Sequence, residues 1–144
     1  MFNSKAAPTP GVVGKPLSKN NGVLLKYATE YRRIVGSLQY VTLTRPDISF
    51  AVNKACQFMQ SPTSAHWMAV KRILRYLRGT ISHGITLTAA HNLHLASFTD
   101  ADWASSLDDR WSTGGFCVFL GDNIVSWSSA KQKVVSRSSI DSEF

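Results

Sequence analysis

In Ser64-Ala65-His66-Trp67-Met68-Ala69-Val70-Lys71-Arg72-Ile73-Leu74-Arg75-Tyr76-Leu77-Arg78-Gly79, the residues Trp67, Val70, Ile73, Leu74 and Leu77 return every three or four positions, the spacing of one face of an α-helix. Ser64 is placed to cap its start, and Gly79 to end it in a left-handed C-cap. Past Gly79 the period falls to two. Ile85 and Leu87 alternate with threonines, residues 93–99 form a short apolar run, and two β-rich runs at 115–120 and 124–128 flank the turn Gly121-Asp122-Asn123. Upstream, Tyr27, Tyr31, Ile34, Val35, Leu38 and Val41 mark one helix, with Thr29 as N-cap. Ile48, Ala51, Val52, Ala55, Cys56 and Met59 mark another, separated from the first because Pro46 disfavours helical geometry at Arg45. The expected fold is α+β or α/β, with a helical segment over residues 26–80 and a sheet over 81–144. Residues 1–25, which hold Pro8, Pro10, Pro16, Gly11, Gly14 and Gly22 and no apolar period, read as a linker or a strap along the surface.

At 144 residues the chain has room for one domain, or for one small unit and part of another. Its 44% hydrophobic and 17% charged residues are enough for a core and too apolar for a disordered tail. Cys56 and Cys117 are too few for a disulfide framework, and no signal peptide precedes them, so a reducing, intracellular setting is expected. The longest apolar stretches, such as 116–120, fall far short of the roughly 20 residues of a membrane span.

Charge is polarised along the chain. Twelve of the 16 Lys and Arg residues precede Thr80, against only Glu30 and Asp47, while seven of the nine acids follow it. A basic first part suits a polyanion, nucleic acid being the commonest. On a helical wheel Lys71, Arg72, Arg75 and Arg78 occupy one arc beside the apolar face, and no acid lies between Asp47 and Asp100 to interleave with them. Arg45, Lys131 and Lys133 are candidates to extend this phosphate-binding set. Asp100 and Asp102 end an apolar run and, two apart on a strand, project to one side, where carboxylates could hold a hard cation. His83, His91 and His94 with Cys117 match no paired zinc spacing. The serines lack a nucleophile elbow, and the tryptophans read as core.

The residues resemble the C-terminal part of copia-type retrotransposon polyproteins, from the end of the reverse transcriptase into ribonuclease H. The resemblance runs through Tyr31-Arg32-Arg33-Ile34-Val35-Gly36-Ser37-Leu38-Gln39-Tyr40, Thr44-Arg45-Pro46-Asp47-Ile48, His66-Trp67 and Lys71-Arg72-Ile73-Leu74-Arg75-Tyr76-Leu77-Arg78-Gly79-Thr80. It continues through Thr99-Asp100-Ala101-Asp102-Trp103-Ala104, Ser112-Thr113, Ile124-Val125-Ser126-Trp127 and Ser138-Ser139-Ile140-Asp141-Ser142-Glu143-Phe144. It covers nearly all the chain after about Lys5.

The resemblance implies an RNase H-like mixed sheet, incomplete here, behind a helical connection that touches an RNA:DNA hybrid or duplex. It implies that Asp100 and Glu143 are catalytic acids that bind Mg²⁺. Phe144 replaces the tyrosine usual after that glutamate, and Trp111, Ser105 and Ala130 depart from the family's usual arginine, glycine and basic residue. The remaining ribonuclease acids would lie downstream and the polymerase aspartates upstream. The expected activity is therefore nucleic-acid binding without catalysis, the alternatives being a Mg²⁺-dependent ribonuclease completed by further sequence or a partner chain, and a protein-interaction module.

Overall fold

The computed structural model describes residues 4–12, 16–89 and 92–132. They fall into two compact units, Met1–His83 and Gly84–Phe144. Lys133, Glu143 and the start of a helix expected over 139–144 lie outside the described residues.

The first unit is built on α1 (Ala28–Val41), a 3₁₀ turn (Pro46–Ile48), α2 (Ser49–Cys56) and α3 (Ser64–Gly79). The apolar faces read from the sequence meet in one core: Tyr31, Val35 and Leu38 from α1, Ile48, Val52 and Ala55 around α2, and Val70 and Ile73 from α3. Each buried aliphatic or aromatic side chain here contributes about 1.5–3 kcal/mol. The phenol of Tyr31, fully buried, donates to the Ala55 carbonyl at 2.7 Å, so its polar end is satisfied, and burial pushes its pKa up.

The helix ends correct the expected caps. Thr29 lies inside α1, whose N-cap position is Tyr27 with no side-chain cap. Thr63, and not Ser64, caps α3: its hydroxyl accepts from the His66 amide, while the His66 ring accepts the Thr63 N–H, a capping box closed by imidazole where a carboxylate is usual. Gly79 ends α3 without entering the left-handed region, the C-cap being Thr80. Its want of a side chain has another cause, since a Cβ there would sit 2.9 Å from the Cβ of Ala6.

That approach belongs to the N-terminal segment, which straps α3 from its last turns to its first. Ala7 N–H donates to the Arg75 carbonyl at 3.4 Å, the Ser18 carbonyl accepts from His66 Nε2 at 3.1 Å, and Leu25 N–H donates to the Pro62 carbonyl at 2.9 Å. A bridge between Leu24 and Thr63 closes the run.

The second unit is an antiparallel sheet of β1 (Leu95–Asp102), β2 (Thr113–Leu120) and β3 (Asn123–Lys131), in the order β1-β2-β3. The chain is therefore α+β. Among the described residues no parallel strand makes the sheet mixed, because each strand returns beside its predecessor without a crossover. The β2–β3 loop is Gly121-Asp122, closed by the pair Leu120↔Asn123, and Gly121 takes the φ of +58° that such a turn asks of its first residue. Residues 85–87 form no strand. The neighbouring Thr88 pairs with a side chain instead, its N–H donating to Asn123 Oδ1 at 2.8 Å and its carbonyl accepting from Asn123 Nδ2 at 2.8 Å.

Between β1 and β2 the chain turns tightly with Ala104 at φ +51° and Arg110 at φ +61°. An alanine in the left-handed region costs about 1 kcal/mol against glycine. Ala104→Gly is expected to raise the unfolding free energy of this unit by about 0.5–1 kcal/mol, read as a higher denaturant midpoint at unchanged slope.

Candidate nucleic-acid interface and carboxylate site

The sequence places Lys71, Arg72, Arg75 and Arg78 on one arc of α3, and the structure shows what each touches. Lys71 is exposed, its ammonium 5.6 Å from the centre of the Trp67 ring. Arg75 is half-buried, and its Nε is buried without a hydrogen-bond partner. The other two meet the strap. Arg72 Nε donates to the carbonyls of Thr9 at 3.0 Å and Gly11 at 3.2 Å, and its Nη2 donates to Thr9 Oγ1 at 2.8 Å. Arg78 Nη1 donates to the Ser4 carbonyl.

Arg45 belongs elsewhere. Only 5% exposed, it forms a bidentate pair with Asp47, Nε to Oδ1 at 2.9 Å and Nη2 to Oδ2 at 2.7 Å. Its Nη1 donates to the Thr80 carbonyl at 2.9 Å and its Nη2 to Thr80 Oγ1 at 2.7 Å. Tyr76 OH completes the cluster by donating to Asp47 Oδ2 at 2.8 Å. The Arg45 hydrogen bonds hold the Asp47 carboxyl below its ordinary range against the opposing effect of partial burial. The expectation that Arg45 joins a phosphate-binding face is thus corrected: its guanidinium ties the 3₁₀ turn to the end of α3.

Lys131 is likewise engaged locally, its ammonium 2.5 Å from Asp109 Oδ2 and 5.1 Å from the centre of the Trp111 ring. Partial burial raises the Asp109 pKa. Hydrogen bonds from Lys131 and Ser106 and from the Trp111 backbone N–H overcome it, leaving the carboxyl at about 2. Lys131 closes the β1–β2 turn, a second correction to the cationic set.

Asp100 stands exposed on β1 opposite Gly115, its carboxylate accepting from the Ala101 N–H at 2.9 Å. Asp102, two residues on, is exposed at the strand's end. Among the described residues no three His, Cys, Asp or Glu side chains gather where they could hold a metal ion. Of the pair the resemblance assigns to Mg²⁺, Glu143 lies outside the described residues. The described residues alone do not make up a two-metal centre, and no step through a metal is derived. Among the described residues no helix is long and apolar enough to cross a membrane.

Sequence reasoning missed His66. Fully buried, it stacks on Phe58 at 3.9 Å between ring centres with 13° between planes. Its pairing with Trp67 in the sequence was legible, but nothing there signals that its two ring nitrogens join the cap of α3 to the strap.

Comparison with known proteins accounts for the motifs. The whole chain aligns with the retrovirus-related Pol polyprotein from transposon RE2 of Arabidopsis thaliana at 50% identity, and with that from transposon RE1 of the same plant at 52%. The chain belongs to the copia-type retrotransposon Pol polyproteins. It spans about 10% of the length of each of these two relatives. It is also 48% identical, over its full length, to an uncharacterized mitochondrial protein of Arabidopsis thaliana, of which it covers 60%. No family model matches the chain, and no solved structure does. In this copia-type segment, two motifs far apart in sequence, Thr44–Ile48 and Lys71–Thr80, meet through Arg45, Asp47, Tyr76 and Thr80.

Proposed function

We propose that the chain is the stretch of a copia-type Pol polyprotein running from the end of the reverse transcriptase into ribonuclease H, and that its helical unit holds the phosphates of an RNA:DNA hybrid or other duplex. One observation carries the reading. The helical unit has twelve cations and two acids, and one of those acids, Asp47, is already paired with Arg45. Among the described residues the cations of α3 make no ion pair with a carboxylate, and a polyanion is the partner that relieves such a concentration of like charge. Lys71 and Arg75 form its available part, the first exposed, the second half-buried. The sheet unit is read as the opening strands of an RNase H-like fold with Asp100 on the first of them. By itself the chain is expected to bind and not to cleave.

The test is binding to a fluorescent RNA:DNA hybrid across a salt series with Mg²⁺ present, RNA integrity being read from the same tubes. The affinity is expected to fall steeply with salt while the RNA stays intact. In Lys71→Gln with Arg75→Gln the log-log slope is expected to shrink by up to about 2, near 0.9 for each lost phosphate contact. An unchanged slope would assign these cations to solvent. Cleavage that disappears in Asp100→Asn would overturn the non-catalytic reading in favour of a ribonuclease.

A further inference from the structure

We propose that residues 4–11 are an intramolecular competitor for the phosphate-binding face of α3, a strap that a polyanion must displace. This rests on the nucleic-acid reading above. Arg72 Nε and Nη2 and Arg78 Nη1 are donors a phosphate would use, and here they are turned to Thr9, Gly11 and Ser4, all neutral backbone or hydroxyl acceptors. A phosphate offers arginine a charged acceptor and a bidentate geometry that a single carbonyl lacks, so phosphate outbids each carbonyl singly. The strap holds its place because it is tethered, which keeps its effective concentration high.

The strap is also lightly anchored. Of residues 4–11 only Ala7 is buried, the arginine contacts are exposed, and the one backbone bond to the helix is long at 3.4 Å. Segments with few buried contacts open at the low end of a protein's stability range. It carries Lys5 and no acid, so that an approaching polyanion meets no repulsion from it. A two-state strap of this kind couples opening to binding: whatever favours the open form raises affinity.

Gly79 provides the lever. Its φ lies outside the left-handed region and its position is helical, so alanine suits the backbone, yet the new Cβ would stand 2.9 Å from the Cβ of Ala6. Gly79→Ala is expected to loosen the strap, speeding amide exchange at Ala7, and to tighten hybrid binding about three- to tenfold. The salt slope should stay close to the native one, because the bound hybrid has displaced the strap and reached Arg72 and Arg78 in either protein. Thr9→Asp should act in the opposite sense, giving Arg72 an intramolecular carboxylate and weakening binding by a similar factor. It reports whether or not alanine at position 79 dislodges the strap. With Lys5→Gln, which removes a positive charge from the same segment without adding an acceptor for Arg72, as control, a loss specific to Thr9→Asp supports the competitor. Equal salt-sensitive affinity in the native protein, Gly79→Ala and Thr9→Asp overturns the competitor while leaving the nucleic-acid reading intact. Absence of salt-sensitive binding in all of them overturns both.

Discussion

Arg45→Ala is expected to lower the unfolding free energy of the helical unit by about 3 kcal/mol, with little change in the salt dependence of hybrid binding. Removing one member of a buried ion pair costs about 3–5 kcal/mol when the remaining partner stays desolvated. Here Asp47 keeps a side-chain exposure of 35% and can rehydrate, which places the loss at the lower end. The Thr80 carbonyl and hydroxyl lose their donors in the same step. Arg45→Lys should recover less than half, since an ammonium cannot reproduce the fork that reaches Asp47 and Thr80 together. The pair also sets an acid limit. Asp47 has its pKa lowered by folding, so its contribution is fully present above the ordinary carboxylate value near 3.9 and is lost as pH falls through the lowered one. Urea midpoints measured down that window should fall in the native protein, and that part of the fall should be missing in Asp47→Asn. A stable Arg45→Ala variant with a flattened salt slope would return Arg45 to the phosphate-binding set.

Arg45 also shows where a single sequence stops being readable. Its motif, with Pro46 beside it, announces a break between helices, and the break is there. That the guanidinium is buried could not be read, because its acceptor at Thr80 is 35 positions away and is half backbone. The three apolar helix faces were legible because burial imposes a period on side chains. The strands were legible from β-rich runs on either side of a turn rather than from a buried period, β1 being almost wholly exposed, and the hairpin because Gly121 is the residue its turn requires. The strap left only a composition bias, since carbonyls fix it to Arg72 and Arg78 and every residue has a carbonyl. The cationic arc on α3 could be drawn on a wheel, whereas its division into the exposed Lys71 and the strapped Arg72 and Arg78 depends on a segment 61 to 74 residues upstream. The choice of Thr63 over Ser64 as cap was open to either hydroxyl by chemistry. It was decided by the chain pairing Leu24 with Thr63.

His66→Ala is expected to destabilise the helical unit by about 4 kcal/mol, a large part of the total for a domain of this size. Three losses add up. The ring stacked on Phe58 leaves a cavity in a fully buried position, as large-to-small core changes do. The Thr63 N–H loses the acceptor that closes the capping box, a cap being worth about 1 kcal/mol. The Ser18 carbonyl, in the buried part of the strap, loses one of its two donors and keeps the Asn21 N–H. The partners also fix the ring's state: Nδ1 faces an N–H and must accept, Nε2 faces a carbonyl and must donate, which is the neutral imidazole. His66→Phe keeps the volume and the stack and loses only the two polar links, so it should cost about 2 kcal/mol. Its strap should loosen near Ser18 while the core of α3 holds. Amide exchange resolves the two: Val70 and Ile73 should exchange faster in His66→Ala through global destabilisation, whereas in His66→Phe the larger acceleration should appear at Leu25 and Ser64, where strap and helix start are joined. Equal protection at Leu25 in the native protein and in His66→Phe would show that the strap is held without the imidazole.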